Sequence, residues 1–432
     1  MDVASIFIQL LLILFVAHVL GRVAVWLGQP TVIGHLLTGI IIGPMVLGAY
    51  DPELKRYFFS NVIGLMALSK IGLVFIMFGL GLEAGKTPAV PHNVKRQSAA
   101  GIAVAGFLGA GLAGVILAYF THGVFAQGTE RTPYMLFFGV AMAATAVPVL
   151  ASILDDKRFL HRRLSALVLN AAVITDILAW FALSVVLMLV SSSAGHGILY
   201  SSLALLLLVL VAECLVSRIY VSSTPVGQDA IGASVIIVPL VVLFAFCVVS
   251  DLANAHVTIG AFVAGLAFRK HAVLRLYWDK GPHALVSMFF TPLFFGTAAM
   301  NVAIEAGDVV YLLMWGGLFF VVGAVGKVGF SYLAARLTGL SRPDSFVVAS
   351  LMNTKGVMEI ILLTVGLEVG VISAQLYGIL MVVALFATMI TLPIVRLVPV
   401  SPTPPLTRAS NNERNSVRNN KKPLVNEQSL IR

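Results

Sequence analysis

The sequence predicts an all-α polytopic membrane protein with about thirteen transmembrane helices. Three observations predict it. Apolar runs of about 20 residues, the length that carries a helix across a hydrocarbon layer about 30 Å thick, recur from one end of the chain to the other. Charge is scarce: 59% of the 432 residues are hydrophobic and 11% are charged, where a soluble domain has about 25%. The loops between the runs carry most of the basic residues, and they carry them on one side. The runs are continuous rather than alternating, which argues against a transmembrane β-barrel.

In chain order the spans are 3–27, 31–49, 61–83, 97–119, 132–154, 163–190, 197–217, 230–250, 256–269, 283–303, 308–336, 345–367 and 373–396. The first lacks a basic leader and a small-residue cleavage site, so it reads as a retained helix rather than a signal peptide. The third ends in "GLGLEAG", a glycine-rich stretch that closes an apolar helix and so does not cradle a phosphate. The fifth, sixth, eleventh and twelfth each carry polar or charged residues inside the apolar run. The ninth is short and admits a partly re-entrant reading. Residues 1–400 form the transmembrane domain. Residues 401–432, "SPTPPLTRASNNERNSVRNNKKPLVNEQSLIR", are polar, Pro/Asn-rich and basic, a disordered cytoplasmic tail by composition and too short for a nucleotide-binding regulatory domain.

An odd number of spans puts the termini on opposite sides. With the N-terminus outside, 22 of the 28 Lys and Arg residues fall in inner loops, at the inner ends of spans or in the tail; only Lys55, Arg56 and Arg131 fall outside, and Lys70, Lys327 and Lys355 lie deeper within spans. The positive-inside rule therefore predicts a multi-pass protein with N-terminus outside and C-terminus cytoplasmic, and the plasma (inner) membrane is its expected location. The net charge of +9 is this loop charge and not a nucleic-acid surface. Cys214 and Cys247 both sit in apolar segments and read as small hydrophobes.

Spans one to six and eight to thirteen read as two inverted six-helix repeats joined by span seven. The fifth and twelfth spans then correspond, and both hold a breaker at mid-membrane: "ATAVPVL" around Pro148 and "MNTKGVM" around Gly356. Proline removes a helical donor and glycine loosens the helix. Paired interrupted helices in matching positions point to a transporter's midplane binding site. Thr145, Asn353 and Thr354 add polar atoms at the same breaks.

The sixth span, "LVLNAAVITDILAWFALSVV", carries one carboxylate, Asp176. A charge at the bilayer centre costs about 2.5–3.5 kcal/mol on insertion scales. A carboxylate kept from bulk water is neutralised by a proton or by an alkali cation, one at a time, which is what an antiporter needs. Hard cations take oxygen ligands; Thr145, Thr175, the Asn170 amide and carbonyls freed near Pro148 are candidates to complete a shell around Asp176 and the alkali ion. Lys327, midway along the eleventh span, has two open roles: competitor ion pair with Asp176, or support for helix breaks through their carbonyls. Lys355 and Glu359, four apart, read as an internal ion pair, with Glu359 as a second proton site the alternative. Lys70 has a stem long enough to reach outward. His35 is either structural or pH-sensing. Asp155 and Asp156 read as solvated loop charge.

These residues resemble the monovalent cation:proton antiporter-2 family, which includes Kef-type potassium systems, sodium/proton exchangers and plant cation/H+ exchangers. "QPTVIGHLLTGIIIGP" resembles the family's second helix, with His35 where Glu is usual. "IGLVFIMFGLGLE" resembles the third helix, "TAVPVLASIL" the interrupted fifth and "NAAVITDILAW" the ion-binding sixth. "VTIGAFVAGLAF", "FFTPLFFGTAAMNV", "GKVGFSYLAARLTG" and "MNTKGVMEIILLTVGLEVGVIS" follow in order, so the resemblance covers nearly all of residues 3–397. It implies the sodium/proton antiporter fold: two inverted repeats with crossed interrupted helices, a moving core, a dimerising scaffold and elevator-type transport. It implies Asp176 as the essential aspartate, Thr145 as the helix-break threonine and Lys327 as the core lysine. Thr175 departs from the Asp, Asn or Gln usual there, so Lys327 lacks the second aspartate it pairs with in the two-carboxylate type.

The expected function is secondary antiport of Na+ or K+ against H+. Asp176 is neutral with either ligand, so one-for-one, electroneutral exchange is expected. A gated K+ efflux system of Kef type, and an exporter of an organic or ionophore-like substrate on the same scaffold, remain alternatives. No nucleophile–base pair has supporting context, so no enzyme and no cofactor is expected. The expected partners are the monovalent cation and proton, the lipid bilayer and a second copy in a homodimer.

Overall fold

A computed structural model of the chain describes residues 3–43, 46–51, 53, 62–83, 96–126, 128–147, 149–150, 154, 162–191, 234–253, 256–302 and 309–397. All regular structure among them is helical. The main helices are α1 (Val3–Trp26), α2 (Thr31–Ile42), α3 (Ile63–Glu83), α4 (Arg96–Phe125), α5 (Arg131–Ala143), α6 (Arg162–Ser191), α7 (Ser234–Leu252), α8 (Val257–Phe268), α9 (Pro282–Met300), α10 (Val309–Leu337), α11 (Arg342–Met352), α12 (Val357–Glu368) and α13 (Ala374–Leu397).

Among the described residues, seven helices are long and apolar enough to cross a membrane unaided: α1, α3, α4, α6, α9, α10 and α13. These correspond to the first, third, fourth, sixth, tenth, eleventh and thirteenth expected spans. The second and eighth are shorter helices, and the fifth and twelfth are interrupted. The ninth, α8, turns through 119° into a further helix, Ala272–Lys280; the turn falls where the apolar run gives way to Arg269, Lys270 and His271. Residues 197–217, the expected seventh span, the tail 401–432, Cys214 and the loop residues Asp155 and Asp156 lie outside the described residues.

The helices sort into two packed bodies. In one, α2 packs on α1 and α9, α8 on α3 and α7, and α9 on α1 and α3. In the other, α4 packs on α5, α6 and α10, α10 on α11 and α13, α6 on α5 and α11, and α12 on α5 and α13. Each body takes three spans from each half of the chain, so the halves are interleaved rather than placed side by side. Without a hydrophobic drive between helices in lipid, small residues set close approach. At Gly326 of α10 an added Cβ would lie 2.9 Å from the Gly109 carbonyl oxygen of α4. We call the bodies the scaffold (α1, α2, α3, α7, α8, α9) and the core (α4, α5, α6, α10, α11, α12, α13).

Candidate functional site

The site is built where two helices stop. Helix α5 ends because Ala144 turns to an extended backbone, φ −59° and ψ 151°. Helix α11 ends at Met352, and α12 begins only after Gly356, whose φ is +154°. That positive φ is strained for any residue with a side chain, and an added Cβ would lie 2.8 Å from Val149 Cγ2 and 3.2 Å from Ala146 Cβ. The two non-helical stretches therefore cross in contact. The Ala146 amide donates to the Thr354 carbonyl at 3.0 Å, and Thr145 Oγ1 donates to the Met352 carbonyl at 3.1 Å.

A broken helix in a membrane must find partners for its last carbonyls. In α5 the Ala144 amide takes the Val140 carbonyl, Lys355 Nζ donates to Ala141 and Met142 at 3.1 and 3.0 Å, and Lys327 Nζ donates to Ala143. In α11 the Asn353 amide takes Ser350, the Thr354 amide and hydroxyl take Leu351, and Thr145 takes Met352. The ends are closed by different means. Two lysines sit at the partial negative end of α5, where cations are favoured, and neutral hydroxyls close α11. Lys355 also reaches Glu359 Oε1 at 3.0 Å, in the first turn of α12, where an anion is favoured. The backbone carbonyl of Lys355 accepts from Thr388 Oγ1 of α13 at 2.6 Å.

Helix α6 packs on α5 and α11 and carries Asp176 to this crossing. The side chain is buried, its Oδ1 has no hydrogen-bond partner among the described residues, and Lys327 is close enough to act on it electrostatically. Thr175 and Thr145 are buried as well. Thr175 Oγ1 donates to the Ala171 carbonyl at 3.0 Å and Asn170 Nδ2 to the Ala166 carbonyl at 2.8 Å, both one turn back along α6.

The expected ion pair between Lys355 and Glu359 is therefore present, and of the two roles open to Lys327 the carbonyl contact is the one the structure shows. Asn353, Thr354 and Gly356 lie in the break of the twelfth span; Pro148 is outside the described residues. His35 and Lys70 do not join the crossing. His35 is in the scaffold, beside Gly21 of α1, and Lys70 pairs with Glu368. Sequence reading missed Thr388, whose only signal was a threonine inside the last apolar run, and it missed the partner of Lys70.

Interrupted helices that cross beside a buried carboxylate, packed against a second helical body, define a secondary transporter of the inverted-repeat class. Residues 10–397 match the family described as "Sodium/hydrogen exchanger, transmembrane", and the chain belongs to that family. Among its relatives, Cation/H(+) antiporter 17 of Arabidopsis thaliana is 28% identical over 96% of this chain and 51% of that protein. K(+)/H(+) antiporter 1 of Saccharomyces cerevisiae is 28% identical over 90% of this chain and 46% of its own. The chain thus spans about half the length of these two relatives. Na(+)/H(+) antiporter NhaS4 of Synechocystis sp. is 27% identical over 92% of this chain and 97% of that protein. The sodium proton antiporter MjNhaP1 from Methanocaldococcus jannaschii shares the fold, with a TM-score of 0.57 at 18% identity over 92% of this chain and 96% of that one.

Proposed function

We propose that the chain exchanges a monovalent cation, Na+ or K+, for H+ across the plasma (inner) membrane, and that Asp176 holds the two in turn. The observation that carries this is the Asp176 Oδ1 atom, buried and, among the described residues, without a hydrogen-bond donor beside the crossed breaks. A buried carboxylate oxygen left unpaired is costly, and either a proton or an alkali cation removes the cost. Thr145 and Thr175 direct their hydroxyl protons to backbone carbonyls, so their oxygens keep lone pairs for a hard cation; Asn170 is the further candidate ligand. Lys327 is positioned to oppose cation binding by charge while it closes α5. Lys355 and Glu359 cancel each other and hold the crossing together.

With one exchanging carboxylate, Asp176 carries no net charge in either loaded state, and exchange is electroneutral. The core carries the site and the scaffold flanks it, a division that supports elevator-type movement of core against scaffold and pairing of two copies through scaffolds. The alternation of the spans, though not which face is outside, is supported by residues that meet across the chain. The thirteen-span count puts Lys70, His256 and Glu368 on the outer side, and Glu83 and His283 on the inner; Glu368 lies 3.3 Å from Lys70 and 3.5 Å from His256, and His283 lies 3.8 Å from Glu83. The relatives named as Na(+)/H(+) and K(+)/H(+) antiporters support the same substrates. The test is cation-triggered proton movement in everted vesicles with Na+, K+ and Li+ in turn. The protein should move protons with Na+ or K+. A K+ flux that moves no protons would make it a channel instead.

A further inference from the structure

The scaffold and core meet along a seam, and several polar contacts across it lie toward one end. Glu368, the last residue of α12, belongs to the core, and its two carboxylate oxygens reach two scaffold residues. Oε1 is 3.3 Å from Lys70 Nζ of α3, and Oε2 is 3.5 Å from His256 Nε2 at the start of α8. His256 is held in place for this contact. It is the non-glycine residue with positive φ, 65°, among those described, a conformation that only its surroundings can impose. Ser250 Oγ donates to its carbonyl at 2.8 Å, and its Nδ1 accepts from the Thr258 amide at 3.4 Å while facing Thr258 Oγ1 at 2.9 Å. An Nδ1 that accepts leaves the ring proton on Nε2, which donates to Glu368; this tautomer is assigned from the hydrogen-bond pattern. One more contact lies toward the same end, where Tyr377 Oη of α13 donates to the Ala298 carbonyl of α9 at 2.9 Å, while the Trp180 ring of α6 lies 5.9 Å from that of Phe262 of α8 nearer the middle of both helices. In the thirteen-span order that end is the outer half of the protein.

We propose that Glu368 is a positioning residue for exchange: clasped by Lys70 and His256, it closes the outer end of the seam and sets what fraction of the protein faces inward. This rests on the exchange reading given above. A carrier that opens its site to the outer side must part core from scaffold there, and a contact present in one state and absent in the other biases the equilibrium between them. The Lys70 side chain is 62% exposed and that of Glu368 34%, so solvent screening makes this a few-fold bias rather than a lock. The apparent affinity of a site falls with the fraction of protein competent to bind. Weakening the clasp therefore helps the outer side at the expense of the inner. A merely structural loss would lower activity without that asymmetry.

The experiment measures the half-saturating cation concentration from each side, in right-side-out and everted vesicles, for the unaltered protein, Glu368→Gln, Lys70→Gln and the charge swap Glu368→Lys with Lys70→Glu. Glu368→Gln should lower the outer value and raise the inner one, moving their ratio by about three-fold. Lys70→Gln should move it in the same direction by less, and carries the test alone if Glu368→Gln does not fold. The swap should bring the ratio back toward that of the unaltered protein. An unchanged ratio in both single variants, or a swap no closer to the unaltered ratio than Glu368→Gln, overturns the clasp. Absence of exchange in the unaltered protein overturns the exchange reading instead.

Discussion

Lys355 commits all three of its N–H bonds, to Ala141, Met142 and Glu359, each within 3.1 Å. Removing it strips two carbonyls of their donor and leaves a buried carboxylate unpaired. Lys355→Ala should therefore destabilise the protein by about 3–5 kcal/mol, read by thermal unfolding in detergent; removing Glu359 as well should recover part of the loss, and a double variant that loses the sum of the two single losses would show that the pair is not coupled. Some of this was legible in the sequence. Four-residue spacing pairs Lys355 with Glu359, and an intramembrane carboxylate singles out Asp176. The lysines' other partners were not legible, because they are carbonyls some 200 residues away, freed only where α5 stops. A side chain's identity says what it can bond, and tertiary packing decides what it meets.

At the scale of the element, the two breaks work because each non-helical stretch supplies what the other lacks. Gly356 faces the other break directly, against Ala146 and Val149. Gly356→Ala must hold a side chain at φ +154° against Val149, and should cost about 1–3 kcal/mol along with most of the exchange. Gly329 offers the control, since an added Cβ there meets nothing within 4 Å; Gly329→Ala should stay within about 0.5 kcal/mol. Equal effects from the two, measured side by side as melting temperature and vesicle exchange rate, would contradict the crossing. Breakers at Pro148 and Gly356 marked the fifth and twelfth spans as interrupted, since glycine and proline act locally on the backbone. The pairing between the breaks is a long-range fact, and in the sequence it was available only through family resemblance.

For the whole molecule, span order was legible because hydropathy and loop charge are local properties. The division into two bodies was available only through the family resemblance, because it interleaves the halves of the chain and depends on which small residues face each other. That division places Asp176 on the core, and the exchange proposed for it, with one carboxylate, carries zero net charge. Exchange should therefore run at the same rate with the membrane potential clamped at zero or imposed in either sign; a rate that follows the potential would show that a second group, with Glu359 the first to examine, takes part. The central claim is that one carboxylate holds either a proton or a cation. The most direct measurement is the number of protons released into unbuffered solution as purified protein binds Na+ or K+, with Asp176→Asn in parallel. The account predicts about one proton per cation bound and none from the variant. Cation binding without proton release, or undiminished release from Asp176→Asn, would contradict it.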